Sequence, residues 1–193
     1  MRSFFERMIR SETENARKGL PSGITVKVNS LVDPEIIRLL YEASQAGVEI
    51  KLIVRGICCL IPGLPGVSEN ITVYSIVGQL LEHSRIFKFE NADWMPRNLD
   101  RRVELVFPID DQDLKERAFG ILELMLSDTV NARIQQPDTT YAHIDKRGKA
   151  VINSQTEFAR LAREALEAKQ VVDEKKPYVP KKAPTFDQRE LED

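Results

Sequence analysis

Residues 24–56, ITVKVNSLVDPEIIRLLYEASQAGVEIKLIVRG, limit the fold more than any other part of the chain. ITVKVNS alternates in the manner of a strand. Asp33-Pro34 then supplies a helix cap and a first-turn proline. Ile36, Ile37, Leu39, Leu40 and Ala43 form the apolar face of a helix that Gly47 stops. In VEIKLIVRG, the residues Val48, Ile50, Leu52 and Val54 fall on one face of a second strand. Strand, helix and strand in this order close as a right-handed crossover, so the two strands are expected to be parallel.

The rest of the chain extends that unit. Upstream, residues 3–18 carry Phe4, Phe5, Met8, Ile9 and Ala16 at helical spacing, and KGLPSG ends the helix. Downstream, IPGLPGVSEN is a Pro/Gly loop long enough to be a functional lip. ITVYSIV and SRIFKF read as strands with a short helical segment between them, and RRVELVFPI as a further strand. DDQDLKERAFGILELMLSD has an acidic start followed by Leu114, Ala118, Ile121, Leu122 and Met125 at three- and four-residue steps, the strongest helix pattern present. A last helix is expected over QTEFARLAREALEAK. Beyond Val172 the chain has three prolines, many charges and no period, which predicts a disordered tail. Strands alternating with helices give the α/β class, a mixed sheet flanked by helices. Ligands in such folds collect outside the carboxyl ends of parallel strands, where Arg55 is expected.

Charge narrows the function classes. The 193 residues include 28 Lys and Arg against 30 Asp and Glu, a net charge of −2. Bulk affinity for nucleic acid is therefore not expected, and any anion binding must be local. No apolar run approaches the ~20 residues of a membrane span, and LIVRGICCLI is broken by Arg55. The N-terminal stretch mixes charge with apolar residues and is not expected to be a signal peptide. Cys58 and Cys59 are adjacent, which suits neither a mutual disulfide nor a spaced zinc pair. Reduced, buried thiols in a cytoplasmic protein are expected.

The densest chemistry lies in LEHSRIFKFENADWMPRNLDRR, residues 81–102. Neutral imidazole can work as nucleophile or general acid-base near neutral pH, which makes His83 a candidate. The spacing His83, one residue, Arg85, four residues, Glu90 resembles the His-Lys-Asp spacing of the phospholipase D superfamily, with His83 and Arg85 expected on a strand. A partly exposed strand-edge histidine is the competing reading. Arg85, Arg97, Arg101 and Arg102 are either walls of an anionic channel or solvated and ion-paired charges. Trp94 is a packing residue or a base-stacking platform, and Asn98 caps a turn or points to phosphate. His143, in TTYAHIDKRGK, is expected to be exposed in a loop or at a strand end.

Read together, NSLVDPEIIRLLYEASQAGV, LIVRGICCLIPG, SENI, SIVGQLLEHSRIF and ADWMPRNLDRRVELVFPI resemble the carboxyl-terminal catalytic domain of bacterial polyphosphate kinase, from about Phe4 to Asp128 and more weakly to Ala168. That family transfers the terminal phosphate of ATP reversibly to polyphosphate and carries two phospholipase D-like domains in tandem. The resemblance implies a phospholipase D-like fold. It also implies that Arg55 and His83 contact the ATP phosphates, His83 with a catalytic role. The implied partners are ATP or ADP and polyphosphate, with no specific nucleic acid, in a cytoplasmic homo-oligomer. Magnesium is the implied cofactor, with its ligands outside this chain. Residues 1–20 are expected to be a helix leading from an upstream domain, 21–170 the phospholipase D-like domain, and 171–193 a charged tail. The family's phosphorylated histidine belongs to the preceding domain, so the chain alone is expected to be inactive. Family members carry a strand-forming stretch between FEN and ADWM that is missing here. A non-catalytic nucleotide or polyphosphate-binding module, and a dimeric phosphodiesterase, are the alternatives.

Overall fold

A computed structural model describes residues 2–90 and 108–173. Helix α1 (Arg2–Arg17) leads into β1 (Gly23–Val28), α2 (Pro34–Gln45) and β2 (Glu49–Val54), followed by β3 (Ile71–Ile76) and β4 (Ile86–Phe89). After these come α3 (Gln112–Leu126), β5 (Ala132–Gln135), β6 (Tyr141–His143) and α4 (Ser154–Asp173). The six strands form one mixed sheet in the order β4-β1-β2-β3-β5-β6. β1–β2 and β2–β3 are parallel, as the crossover requires, while β4, β5 and β6 run antiparallel to their neighbours. The fold is α/β.

The crossover helix starts where its sequence demands. Asp33 Oδ1 accepts from the backbone N–H groups of Glu35 and Ile36, both at 3.1 Å, and Pro34 occupies the first turn, which has no need of its missing N–H. Arg2 of α1 pairs with the same carboxylate, tying the two helices together. Ile24, Val26, Ile50, Leu52, Val54 and Val73 face the apolar sides of α1 and α2 in one core. The Phe5 and Phe87 rings, 4.4 Å apart, carry that core onto β4. The other face is covered as well: Ile53 is as buried as its neighbours, and Lys88 Nζ sits 4.7 Å from the centroid of the Phe119 ring on α3. A strand with both faces covered reads as a continuous apolar run, and Leu52, Ile53 and Val54 do so.

Three expectations are corrected and one element is added. No helix lies between β3 and β4. Residues 77–85 have no regular structure, and the Gln155 side chain holds them by pairing with the Leu80 backbone on both sides, accepting from its N–H at 3.0 Å and donating to its carbonyl at 2.7 Å. β4 is shorter than SRIFKF and begins only at Ile86, so His83 and Arg85 are not strand residues. Cys59 is exposed and only Cys58 is half-buried, because the chain has left β2 and runs along the surface there. Finally, β5 and β6 form an edge hairpin that was not anticipated. RRVELVFPI, Trp94, Arg97, Asn98, Arg101, Arg102 and the tail lie largely or wholly outside the described residues.

Residues up to Gln155 form one compact unit, and a second begins at Thr156. In the first, Asp128 ties the chain that follows α3 to the start of α4. Its carboxylate accepts from the N–H groups of Val130, Asn131 and Ala132 at 2.9, 2.7 and 3.2 Å, and from Ser154 N and Oγ at 2.8 and 2.7 Å. The described part of the second unit is the body of α4, whose Leu161 and Leu166 are exposed. No described helix is long and apolar enough to cross a membrane.

Candidate functional site

The carboxyl ends of β1 and β2 run on together past the last strand residues. Arg55 N–H reaches the Val28 carbonyl at 3.4 Å, and Gly56 N–H donates to the Asn29 carbonyl at 2.7 Å. This approach needs glycine, since a Cβ at residue 56 would lie 2.9 Å from Asn29 O. Alternation along the strands sets Lys27, Asn29, Ile53 and Arg55 on the face away from the α1–α2 core. Two polar strand-end side chains and a guanidinium are thus brought together at the position where parallel sheets hold ligands.

The segment carrying His83 arrives at the same end from the other side of β1. β4 pairs with β1 as far as Lys27↔Ile86, and there the ladder stops. A side chain takes over from the backbone. Lys27 Nζ donates to the carbonyls of Glu82 and Ser84, at 3.0 and 2.8 Å, and lies 3.5 Å from the Glu82 carboxylate. Carbonyls committed to an ammonium are not available to a strand, which is why β4 does not extend back to His83. The imidazole is exposed, with Nδ1 3.3 Å from Asn29 Nδ2. Arg55 and His83, the two residues singled out by sequence, therefore lie at one end of the sheet on either side of Asn29.

Lys27 is only 2% exposed. Burial pushes its pKa down; Glu82 opposes this, and the positive charges of Arg55 and Arg85 add to the lowering. Burial works against ionisation of Glu82 too, but hydrogen bonds from Ser84 and the charge on Lys27 outweigh it and hold the carboxyl below its usual range. Arg55 and Arg85 both lie within electrostatic reach of Lys27, which makes this end of the sheet locally positive in a chain of net charge −2. Among the described residues, two buried side-chain atoms have no hydrogen-bond partner: Asn29 Oδ1 and Arg55 Nε. They belong to facing residues at this strand end. Orphaned polar atoms are exceptions in folded proteins and concentrate where structure serves function.

Other candidates fall elsewhere. Glu90 lies at the far end of β4, where its N–H donates to the Gly23 carbonyl and its carboxylate pairs with Lys88 at 3.2 Å. The His-Arg-Glu spacing therefore does not gather those three groups. His143 closes β6, exposed and at the opposite edge of the sheet from β4. Burial pushes the Cys58 thiol up, away from the reactive thiolate. Sequence reading passed over Lys27 and Asn29. The signal was a lysine and an asparagine two apart at the end of an apolar strand, on the face of Arg55.

The family profile described as "Polyphosphate kinase C-terminal domain 2" matches residues 1–155. The chain belongs to that family. A polyphosphate kinase of Lactiplantibacillus plantarum is 51% identical over 178 residues, covering 87% of this chain and 25% of the relative. One from Synechocystis is 48% identical over 176 residues, covering 86% of this chain and 24% of the relative. The crystal structure of polyphosphate kinase from Porphyromonas gingivalis superposes with a TM-score of 0.77 at 36% identity, over 87% of this chain and 27% of that one. This polyphosphate kinase C-terminal domain thus spans about a quarter of the length of the curated relatives it matches. Its fold is phospholipase D-like.

Proposed function

We propose that this chain supplies part of the nucleotide site of a kinase that reversibly transfers the terminal phosphate of ATP to polyphosphate, with Arg55 and His83 contacting the ATP phosphates. The observation that carries this reading is that both residues lie at one carboxyl sheet end, on either side of Asn29, with an Arg55 Nε that is buried without a partner. A guanidinium cannot lose its charge and offers forked donors to phosphate oxygens. An imidazole beside it can donate to a second oxygen and stabilise charge as the phosphoryl group moves. Catalysis of this kind is mostly positioning and electrostatics, which suits a site made of cations and amides.

Magnesium is the expected cation for ATP chemistry. Among the described residues no three His, Cys, Asp or Glu side chains come together to hold a metal, and the groups at this strand end are mainly donors. The site described here does not fit direct metal ligation. Its ligands belong, on this reading, to other parts of the enzyme or to the nucleotide. The working assembly is read as a cytoplasmic homo-oligomer.

The second reading is a module that grips nucleotide or polyphosphate and catalyses nothing by itself, favoured for the chain in isolation by its one histidine at the site. The test is incorporation of γ-labelled ATP phosphate into polyphosphate by the kinase carrying this chain. The double variant Arg55→Ala/His83→Ala is expected to lose incorporation while staying folded. Unchanged incorporation overturns the proposal. A variant that still turns over but no longer binds polyphosphate favours the module.

A further inference from the structure

We propose that Asn29 is a positioning residue for His83, its side-chain amide fixing the imidazole in the tautomer that carries hydrogen on Nε2. This rests on the phosphate-contacting role proposed for His83. The contact is nitrogen to nitrogen, Asn29 Nδ2 to His83 Nδ1 at 3.3 Å. An amide NH2 donates and has no lone pair to offer, so Nδ1 is the acceptor and the neutral ring carries its proton on Nε2. Turning the amide over would set Oδ1 against Nδ1 and favour the other tautomer. It would also put an NH2 into the buried position where Oδ1 now has no partner. An orphaned buried N–H is rarer than an under-used carbonyl oxygen, which favours the orientation seen.

Both members of the pair are held by backbone contacts that do not depend on the pair itself. The Asn29 carbonyl accepts from Gly56 N–H at 2.7 Å, next to the β1–β2 ladder. The residues flanking His83 are held from below by Lys27, through the carbonyls of Glu82 and Ser84. One weak contact between two fixed backbones is enough to select a ring state, because ordering the segments has already been done. The choice has chemical consequences. A phosphate oxygen is an acceptor, so the Nε2–H tautomer presents it with a donor, whereas the Nδ1–H tautomer would present a lone pair to an anion.

The chain has two histidines, so in a histidine-labelled sample carrying His143→Gln the nitrogen spectrum reports His83 alone. At a pH where the ring is neutral, Nε2 is expected in the protonated range and Nδ1 in the unprotonated range. Asn29→Asp replaces the donor with an acceptor for Nδ1–H and is expected to invert the pattern. Asn29→Ala, which removes the contact without adding charge, is expected to give averaged shifts from two exchanging tautomers. A protonated Nδ1 in the parent chain, or a pattern unmoved by either variant, overturns the proposal whatever the chain binds. In the whole kinase, Asn29→Asp is expected to lower kcat about ten- to a hundredfold, with a smaller change in KM for ATP. In a His83→Ala background it should cost nothing further. An additive loss there means that Asn29 acts elsewhere and overturns the proposal. A His83→Ala enzyme with full kcat overturns the phosphate role itself, while the tautomer spectrum still decides what holds the ring.

Discussion

Arg55 carries a buried Nε–H with no partner and a guanidinium that is only half-buried. Under the phosphate-contacting role proposed for Arg55, stability and function pull apart at this residue. Arg55→Ala deletes an unsatisfied donor along with the charge, so its stability cost should stay near the ~0.5 kcal/mol of ordinary surface changes. At a transition state, losing a preorganised donor to a developing charge costs on the order of 2.7–4 kcal/mol. In the kinase carrying this chain, Arg55→Ala and His83→Ala are expected to lower kcat/KM by about a hundredfold or more with little change in unfolding midpoint. Arg55→Lys should recover only part, since a point charge replaces a fork. His143→Ala is the control. If it harms turnover equally, or if the other two variants unfold, the assignments are structural. Lys27 is the opposite case: a buried ammonium holding two carbonyls. Lys27→Met leaves those acceptors without their donor, and a loss of about 1–3 kcal/mol is expected in denaturant unfolding, larger than for Arg55→Ala. Its pH dependence follows from the sign of the shift. A lysine whose folded pKa lies below its unfolded value binds fewer protons when folded, so its contribution to stability rises with pH between the two values. That rise should be absent from Lys27→Met.

At the scale of elements, the legible parts were those whose packing is written in period and caps. α2 begins at Pro34 because Asp33 and Pro34 both act there, and β1 and β2 are parallel because a helix of that length joins them. Arg55 and His83 could be named from blocks that resemble a family, but the segment that brings His83 to the end of β1 is held by Lys27, which reads in sequence as one polar residue in a strand. The β5–β6 hairpin was hidden for a different reason. ARIQ and YAH are short, hardly apolar and joined by QPDTT, where Asp138 accepts from Thr140 N at 2.9 Å and Oγ at 2.6 Å and does the work of a turn glycine. Thr139 there has a φ of 68°, a left-handed conformation that a β-branched residue adopts at a cost of roughly 1 kcal/mol. Thr139→Asn, a residue that tolerates that region, is therefore expected to raise stability by several tenths of a kcal/mol or more. A lower unfolding midpoint for this exposed substitution would show that the threonine side chain does something the backbone geometry does not reveal.

For the molecule as a whole, the decisive feature is how the sheet distributes its two histidines. His83 approaches the β1 side at one end of the strand order, whereas His143 ends β6 at the other edge. Four strands, β1, β2, β3 and β5, separate β4 from β6, and neighbouring strands lie about 4.8 Å apart. His83 meets Asn29 just past the end of β1, four strand spacings from β6, so the two histidines are roughly 19 Å apart across the sheet, well beyond the ~3–3.5 Å at which reacting groups must meet. A mechanism needing a second histidine opposite His83 cannot recruit His143 from the same chain. This chain, purified free of other kinases and given ATP, is accordingly expected to make no polyphosphate, although it should still bind polyanions through Arg55 and its neighbours. Binding should weaken as salt rises, since the attraction depends on a local group of cations in a chain without net positive charge. The measurement is labelled polyphosphate formation beside equilibrium binding of polyphosphate at two salt concentrations. Polyphosphate made by the chain alone and lost in His83→Ala would mean that one histidine suffices, or that two copies bring their His83 rings together. A dependence of the rate on the square of chain concentration would identify the second case.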